Sequence, residues 1–588
     1  MAWHSRPREE LVPLGLIAFG LGLGALSLLL YIADGYSRGM LWLWLGGLVL
    51  AGVGFGLRAR VWPHVALLDL GLAAGAAALC APLYLIAVYH WPIQVSSDEL
   101  AIMGAVHDYA HPPHGADPLG PSTYLTRPAL LFIVWARLGN LIGGIDLFHM
   151  RLLHAMVGVL TIAACYFLFR LLLPRNWAFF GALILGLNHS LFMISRLAMR
   201  ENTALFMLVV ALTLLLWGFR HNQELAIFLG GVAAGLGFYV YYPARITFPI
   251  WILFLVALGL LYRKRFSARQ LLLVGAVTAA GFVLVATPIV YSESKIPVET
   301  NRQVGGQQVG LMIFPEGRAE QKAWVFADTV WDGWKANIRM GLETFNSKEV
   351  DHGWIYVNHG HGFVDPVTGI LLWLGVGVVA IALIRRRRDD PGALLMLGGF
   401  LLLYLAFAFL VNKAPNYTRL LVTLPFVAYF VAEAVRWAVD RWRSVRFAPQ
   451  ILVGTVLAAV VALNLSAGWD YLQQGKRETD PIGRTVRYVS AHKNIPGERF
   501  YVVSSDSSPY YTWGAGDTRL ARFARPDQLP PLVDPTQVRQ FAAAAPFSLF
   551  MTRQAWSGAA AELAARYPRG RIRNITPDGQ RVVLEVPS

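Results

Sequence analysis

The feature that most constrains this chain is a series of long apolar runs. Each run carries few charges and is long enough to cross roughly 30 Å of hydrocarbon as a helix. About thirteen can be read, near 11–32, 41–57, 64–89, 150–173, 177–195, 202–219, 225–243, 246–262, 270–291, 367–384, 392–411, 419–438 and 449–467. With 56% hydrophobic and 15% charged residues, the composition agrees. The sequence therefore predicts an all-α polytopic membrane protein.

The positive charge of the chain is confined to short loops between these runs. The net charge is +15, and the basic residues gather on every second connection. They are Arg58 and Arg60; Arg170 and Arg175; Arg263, Lys264, Arg265 and Arg269; Arg385 to Arg388; and Arg441, Arg443 and Arg446. This distribution is typical of cytoplasmic loops. It predicts a multi-pass protein with a cytoplasmic N-terminus and an outward C-terminus, and it excludes a nucleic-acid partner as the reason for the charge.

Three polar segments are too long to be simple connections, and all three fall on the outer side. The first spans 90–149 and holds an amphipathic piece around 128–141, which we expect to lie along the membrane interface. The second spans 292–366. The third, 468–588, reads as a small extracytoplasmic α/β domain, with short buried strands at 500–503, 547–550 and 581–586 and helical composition at 536–545 and 558–566.

Two adjacent acids, Asp98 and Glu99, lie in the first outer segment, shortly after the run 64–89. A carboxylate at the membrane edge can take a proton from an attacking hydroxyl, or it can hold a cation. The alternative is structural, because acids in the first turn of a helix, here the helix indicated by 100–109, interact favourably with its dipole. Ionisable groups this close to lipid are costly, so a functional role is the default hypothesis. The structural interpretation stays open beside it.

Basic residues on the outer side form the second group of candidates. Arg196 and Arg200 are four residues apart, which places them on one helix face, and Glu201 could pair with either. Such arginines could neutralise a phosphate, whereas the alternative is a rim of cations that reach lipid headgroups. Arg245 follows a tyrosine-rich break and could contact a phosphate in the same bidentate way, or belong to an interfacial aromatic belt.

Several further residues are weaker candidates. Arg302 lies in the second outer segment, and Arg419 lies at the outer end of the run 419–438. His352, His359 and His361 lie in a glycine-rich stretch of the second outer segment. Two histidines at the spacing of 359 and 361 are a poor metal signal. No cofactor is therefore predicted, although a divalent metal requirement stays open. Both cysteines, Cys80 and Cys165, lie inside apolar runs and are expected to be buried packing residues.

These motifs together resemble a known superfamily over roughly residues 64–440. The Asp98-Glu99 pair is followed by four sequence patterns: Arg151-Leu-Leu-His154-Ala-Met-Val-Gly158, Arg196-x3-Arg200-Glu-Asn, Gly235-Leu-Gly-Phe-Tyr-Val-Tyr241-Tyr-Pro-Ala-Arg245, and Asn416-Tyr-Thr-Arg419-Leu-Leu-Val-Thr-Leu-Pro425. The series resembles the polytopic glycosyltransferases of the C-type fold that use polyprenyl-phosphate sugars. These include the protein O-mannosyltransferases and the aminoarabinose transferases.

The resemblance implies an inverting membrane glycosyltransferase whose active site opens to the outside of a plasma membrane. It implies Asp98 as the catalytic carboxylate with Glu99 beside it, and Glu201 as a second acidic position. The donor phosphate would be held by Arg200 and Arg245, with Arg196, Arg302 and Arg419 behind them. The expected partners are a polyprenyl-phosphate-linked sugar, membrane lipid, and a lipid, glycan or protein acceptor. Residues 1–63 then form an added N-terminal hairpin, 64–467 the embedded core with outer loops 90–149 and 292–366, and 468–588 the outer domain.

Two other function classes remain at this stage. A transporter or flippase for a lipid-linked or anionic solute could use the same arginines to guide a charged head group. Against it stand the absence of a visible internal repeat and the position of most ionisable candidates at the outer edge, since a permeation path needs polar groups through the membrane depth. A catalytically inactive relative that acts as a lipid-binding scaffold is the third possibility.

Overall fold

The fold is taken from a computed structural model of the chain. It describes residues 11–58, 65–92, 95, 97–110, 116–121, 128–296, 312–313, 315–346, 361–385, 390–412, 415–477, 488, 492, 495–503, 532–575 and 579–588. Within these ranges, long apolar helices dominate, and a small β-sheet forms close to the C-terminus. The fold class predicted from the sequence is confirmed.

The membrane part is built from helices whose ends follow the apolar runs. Their bounds are α1 Leu11–Asp34, α2 Arg38–Arg58, α3 Leu67–Leu85, α6 Leu147–Arg170, α7 Arg175–Leu187, α8 His189–Ser195, α9 Glu201–His221, α10 Glu224–Leu236, α11 Thr247–Leu261, α12 Ala268–Ser294, α15 Pro366–Ile384, α16 Gly392–Tyr404, α17 Tyr417–Leu420, α18 Leu424–Arg441 and α19 Ala448–Arg477. The gaps in this numbering belong to helices of the outer segments: α4 Ser97–Ala110, α5 Ala129–Ile142, α13 Pro315–Trp324 and α14 Val330–Glu343.

The predicted count of thirteen membrane spans is not confirmed. Among the described residues, eleven helical segments are long and apolar enough to cross a membrane, and a bent pair could supply a twelfth. That pair is α7 and α8, which meet at 59°. The break follows from Asn188, whose side chain accepts the backbone N–H of Leu191 and so starts a new helix. The predicted run 225–243 corresponds to α10, which is shorter and ends in 3₁₀ turns.

Helices α1 and α2 form a tight hairpin that packs on the remaining bundle. An added Cβ on Gly20 would lie 2.4 Å from the backbone N of Ala51, and one on Gly47 would lie 2.7 Å from the N of Gly24. Small residues therefore let the two backbones touch, as is common between membrane helices. The hairpin is attached to α12 by the indole N–H of Trp44, which donates to the carbonyl of Leu284 at 2.7 Å.

The last part of the chain folds as a mixed sheet. Its strands are β1 Arg499–Val503, β2 Leu532–Val533, β3 Phe547–Thr552, β4 Arg571–Asn574 and β5 Arg581–Val586, in the order β2-β1-β3-β5-β4, and α20 Arg553–Arg566 follows β3. Strands β1, β2 and β3 are parallel, whereas β5 is antiparallel to β3 and β4. The three predicted strands are confirmed, and β2 and β4 were not predicted.

One predicted helix of this region is wrong. Residues 536–545 contain only a 3₁₀ helix, Pro535–Gln540, before an irregular segment. Pro546 disfavours helical backbone at the residue before it. The backbone N–H of Ala543 donates instead to the hydroxyl of Tyr567 at 2.7 Å. A tertiary contact thus replaces the helical hydrogen bond that alanine-rich composition suggested.

Candidate active site

Asp98 and Glu99 lie in the first turn of α4, the helix that the sequence indicated at 100–109. The side chain of Asp98 is outside the part of the chain that the structure describes. Glu99 is fully buried and forms a bidentate ion pair with Arg151 of α6, with Nε and Nη2 each 2.9 Å from a carboxylate oxygen. The backbone N–H of Ala198 also donates to Glu99, at 2.8 Å. The carboxylate of Glu99 is therefore fixed by three donors.

The same arginine joins α4 to the segment that follows α3. Arg151 is itself fully buried, and its Nη1 donates to the carbonyl of Pro92 at 2.7 Å. Charged groups with full hydrogen bonding of this kind are geometrically rigid. The arrangement favours a positioning role for Glu99, which holds the turn that carries Asp98, over direct contact with a substrate.

Arg196 also binds the end of α3, and not an anionic group of the described chain. Its guanidinium donates to the carbonyls of Leu83 and Ile86 at 2.7 Å each, and to that of Trp91 at 3.1 and 3.2 Å. The last carbonyls of a helix have no partner within the helix, so a buried cation is well placed there. The role of Arg196 in holding a donor phosphate stays a prediction, and the hydrogen bonds that the structure shows for it all go to backbone carbonyls.

Arg200 and Arg419 converge on a pair of tyrosines at the break between α10 and α11. The guanidinium of Arg200 lies 5.1 Å from the ring centre of Tyr241, and that of Arg419 lies 5.8 Å from the ring centre of Tyr242. The two rings are 4.5 Å apart. Because 3₁₀ turns flank Tyr241, whose backbone is extended, the chain can present both rings to the two cations. We call these four residues the arginine–tyrosine cluster.

The charge of Arg200 is the most informative property of this cluster. Arg200 is buried, with 9% of its surface exposed. It contacts the ring of Tyr241, and it forms no ion pair or hydrogen bond with another described side chain. A buried cation is costly unless an anion accompanies it. Glu201, the next residue in the sequence and the first of α9, is also buried, with 4% exposure. Arg419 donates to the carbonyl of Asn412 at 3.2 Å.

Arg245 is held by an acid that the sequence did not point to. Its two terminal nitrogens lie 2.8 and 2.6 Å from the carboxylate oxygens of Glu293, at the end of α12. The guanidinium also lies 5.1 Å from the ring centre of Phe238. The positive charge of Arg245 is thus neutralised within the protein, in contrast to that of Arg200. Arg302, the remaining predicted phosphate ligand, lies outside the described residues.

Sequence reasoning gave no role to three buried polar residues near this site, Arg151, His154 and Ser195. His154 donates from Nδ1 to the carbonyl of Met150 at 2.6 Å, and its buried Nε2 has no hydrogen-bond partner among the described residues. Within the same ranges, the buried hydroxyl of Ser195 has none either. Arg151 and His154 are three residues apart in α6, so they share a face. That spacing, inside an otherwise apolar run, was the signal that could have identified Arg151 and His154.

The described residues give no support for a metal centre. No group of three or more histidine, cysteine, aspartate or glutamate side chains in these ranges is arranged to hold an ion. His361 instead contacts Asp470 at 2.9 Å, and His352 and His359 are not among the residues that the structure describes.

A known protein family matches the part of the chain that holds most of these residues. Residues 105–292, about a third of the chain, match the family described as dolichyl-phosphate-mannose-protein mannosyltransferase. No curated protein sequence matches the chain.

Solved structures extend the likeness to most of the chain. ArnT from Cupriavidus metallidurans, bound to undecaprenyl phosphate, is similar with a TM-score of 0.50 at 14% identity, over 88% of this chain and 97% of ArnT. The archaeal oligosaccharyltransferase AglB from Archaeoglobus fulgidus, in complex with an inhibitory peptide and a dolichol-phosphate, has a TM-score of 0.50 at 15% identity, over 88% of this chain and 74% of AglB. In a crystal structure of the same archaeal enzyme with zinc and sulfate, this chain covers 62% of the length of the enzyme.

None of these comparisons gives support to a transporter. Residues 105–292 thus match the dolichyl-phosphate-mannose-protein mannosyltransferase family, and the chain has the fold of the C-type glycosyltransferases, as the sequence predicted.

Proposed function

We propose that this protein transfers a sugar from a polyprenyl-phosphate donor to an acceptor on the outer face of a plasma membrane. The observation that carries the proposal is the buried charge of Arg200, which has no acid partner among the described residues and lies against Tyr241. A phosphate at the arginine–tyrosine cluster would supply the missing anion. The ArnT structure, whose fold this chain shares, contains undecaprenyl phosphate.

The cluster suits a lipid-linked phosphate for a second reason. Arg200 lies at the start of α9 and Tyr241 at the break after α10, so the cluster lies where membrane helices begin and end. A polyprenyl donor needs a polar site for its phosphate that adjoins hydrocarbon for its tail. Arg419 adds a second cation, and arginine favours the planar, bidentate contacts that phosphate offers. Arg245 and Arg302 remain secondary candidates for the same group.

Asp98 is the catalytic carboxylate in this proposal. It takes the proton of an acceptor hydroxyl while the acceptor oxygen attacks the anomeric carbon. The bond between that carbon and the phosphate oxygen breaks, and polyprenyl phosphate leaves with its charge stabilised by the arginines. Direct displacement inverts the anomeric configuration. Glu99, through Arg151, holds the turn of α4 that carries Asp98, and Glu201 supplies a second acidic group near Arg200.

Transfer by the purified protein tests the function. The protein is reconstituted in liposomes with a panel of radiolabelled polyprenyl-phosphate sugars and a membrane extract as acceptor, and Asp98→Asn is the paired control. We expect label in a product only with the intact aspartate. Equal transfer by Asp98→Asn would remove the catalytic assignment. Protected movement of the labelled lipid across the bilayer, without transfer, would favour the flippase interpretation.

Donor binding tests the arginine–tyrosine cluster separately. Arg200→Gln removes the charge, and we expect the affinity for polyprenyl phosphate to fall about 10- to 100-fold, because hydrogen bonds to a charged group contribute about 1.5–3 kcal/mol. The measurement is a titration with undecaprenyl phosphate in nanodiscs. Arg339→Gln, at a largely exposed position of α14, is the matched control. An affinity unchanged by Arg200→Gln would place the donor phosphate elsewhere.

A further inference from the structure

Helix α14, in the second outer segment, has three distinct faces. Gly333, Asn337 and Gly341, spaced four residues apart, form the buried face. Four apolar residues form a second face and four charged residues form a third, each set with the spacing i, i+3, i+7 and i+11 that places its members together. The apolar set is Trp331, Trp334, Ile338 and Leu342, and the charged set is Asp332, Lys335, Arg339 and Glu343. We call the four apolar residues the apolar stripe.

Two large residues of the apolar stripe are exposed. Trp331 is 62% exposed and Leu342 is 61% exposed, whereas Trp334 and Ile338 are half-buried. On the charged face, each basic residue pairs with an acid of the same helix, Lys335 with Asp332 and Arg339 with Glu343. The charged face therefore suits water. An exposed apolar surface of this kind usually marks a site of interaction with a protein or a membrane.

The buried face fixes α14 at the outer end of a membrane span. Asn337 donates from Nδ2 to the carbonyls of Phe409 and Val411, at 2.5 and 3.3 Å. An added Cβ on Gly341 would lie 2.6 Å from the carbonyl oxygen of Ala408, so the two backbones touch. Residues 392–410 form one of the candidate spans. Because α14 packs directly on the last turns of this span, its flanks lie at the level of the membrane surface.

The C-terminal end of α14 reaches further along the spans. The hydroxyl of Tyr404 donates to the carbonyl of Gly341 at 2.8 Å. The ring centre of Phe345, which follows the helix, lies 5.9 Å from that of Phe400 in α16 and 6.2 Å from that of Trp373 in α15. Tyr404, Phe400 and Trp373 all lie more than one helical turn inside a candidate span. Leu342 is thus exposed at a level where hydrocarbon surrounds the bundle.

The turn before α14 exposes another large apolar side chain. Phe326 is 94% exposed, and its backbone is left-handed with φ of 51°. The backbone N–H of Ala327 donates to the carbonyl of Lys322 at 3.0 Å, which closes α13 around a left-handed residue. Glycine usually occupies that position, because a side chain is strained there. Neither the backbone nor packing within the described residues explains a phenylalanine at 326, whereas contact with lipid does.

We propose that α14 is an interfacial helix, whose apolar stripe, together with Phe326, inserts into the lipid leaflet on the side of the outer segments. Tryptophan is enriched at the membrane–water interface. Lys335 lies 5.9 Å from the ring centre of Trp331, so its stem can cover apolar surface while the ammonium reaches the head groups. The span beside α14 exposes Leu401 and Leu405, each at 48%, so lipid also covers the neighbouring surface. This lipid contact does not depend on sugar transfer.

Spin labels test which face of α14 contacts lipid. Trp331→Cys and Leu342→Cys place a nitroxide on the apolar stripe, Phe326→Cys places one in the turn, and Arg339→Cys is the matched control on the charged face. The full-length protein is reconstituted in liposomes of phosphatidylcholine and phosphatidylglycerol. Power-saturation EPR then measures collisions with oxygen, which concentrates in hydrocarbon, and with a water-soluble nickel chelate. The native Cys80 and Cys165 are buried, so the unaltered protein should take up little label.

We expect the labels at 331, 342 and 326 to have an oxygen-to-nickel collision ratio several-fold higher than that of the label at 339. Nickel access at 331 and 342 equal to that at 339 would show that the stripe faces water, and would overturn the proposal. Few collisions with either reagent at these two positions would show that protein covers the stripe, from this chain or a second copy, and would overturn it as well.

Nickel access at 326 alone would remove the turn from the lipid contact. Thermal unfolding confirms that each variant is folded, and the two stripe positions report independently, so a variant that fails to fold leaves the other to decide.

Discussion

At the scale of single residues, two neighbouring acids have different surroundings. Asp98 and Glu99 look equivalent in the sequence, yet Glu99 is committed to Arg151 and to the backbone of Ala198. A fully buried pair is costly to break from one side, because the remaining charge has no compensation. Glu99 should therefore affect folding strongly, whereas replacement of Asp98 by asparagine should affect transfer and leave stability nearly unchanged.

We expect Glu99→Ala to lower the free energy of unfolding by about 3–5 kcal/mol, since it leaves Arg151 buried and unpaired. The measurement is denaturant or thermal unfolding of the purified protein. The matched control is Glu343→Ala, which breaks the exposed pair of Arg339 and Glu343 in α14 and should cost about 0.3–0.5 kcal/mol. A loss for Glu99→Ala as small as that of the control would contradict a buried structural pair.

At the scale of helices, the bend between α7 and α8 is secured by the last membrane helix. Asn464 of α19 accepts from the backbone N–H of His189 at 2.8 Å and lies 2.7 Å from its Nδ1. Its amide nitrogen donates to Asp365, the residue that caps α15, at 2.8 Å. One side chain thus joins three helices, and its burial makes each of these hydrogen bonds costly to lose.

Asn464→Leu should destabilise the protein by about 1–3 kcal/mol for each buried polar group that it leaves without a partner. The readout is the thermal unfolding midpoint in detergent. Thr455→Val, at an exposed position of the same helix, removes a polar group that is not buried and serves as the control. Equal midpoints for the two variants would show that the junction of α8, α15 and α19 does not depend on Asn464.

The N-terminal hairpin is joined to the first outer segment by a carboxyl with an altered proton affinity. The hydroxyl of Tyr31 donates to Asp117 and lies 2.5 Å from Oγ of Ser292. Burial raises the pKa of Asp117 above its usual 3.8. Because the folded protein holds this proton to higher pH than the unfolded chain does, the stability from the protonated form is present below pH 3.8 and is lost as the pH rises through the raised pKa.

Asp117→Asn removes this titration and keeps an acceptor for Tyr31. The thermal unfolding midpoint of the variant, compared with that of the unaltered protein at a series of pH values, should rise relative to it as the pH increases through that window. A difference that stays constant with pH would show that Asp117 titrates alike in the folded and unfolded chain.

At the scale of the whole molecule, the sequence predicted what depends on periodicity and on the membrane. Long apolar runs located the helices, and short apolar runs located β1, β3 and β5. It could not predict partners that are distant in sequence. Arg245 looked available until Glu293 was placed beside it, and Arg196 looked like an anion ligand until the end of α3 supplied its acceptors. The bend between α7 and α8 at Asn188 was not predicted either, because a hydropathy average over many residues is little changed by a single capping residue.

The orientation of the molecule in the membrane is the prediction that every functional proposal depends on. Basic loops such as 441–446 should be cytoplasmic, and the C-terminal domain should be outside. Between these two regions, α19 is the one candidate span among the described residues, so their relative sidedness does not depend on the number of spans before it. Ser444→Cys and Ser557→Cys place a thiol at an exposed position in each region, and the native Cys80 and Cys165 are buried, so the labelling background should be low.

A membrane-impermeant maleimide applied to intact cells should label the cysteine at position 557 and not that at 444, and permeabilised cells should label both. The unaltered protein, with its two buried cysteines, is the control. Labelling of 444 alone would reverse the orientation and place the site around Glu99 and Arg200 in the cytoplasm, where the proposed outer-face transfer could not occur. Labelling of both positions in intact cells would show that α19 does not cross the membrane.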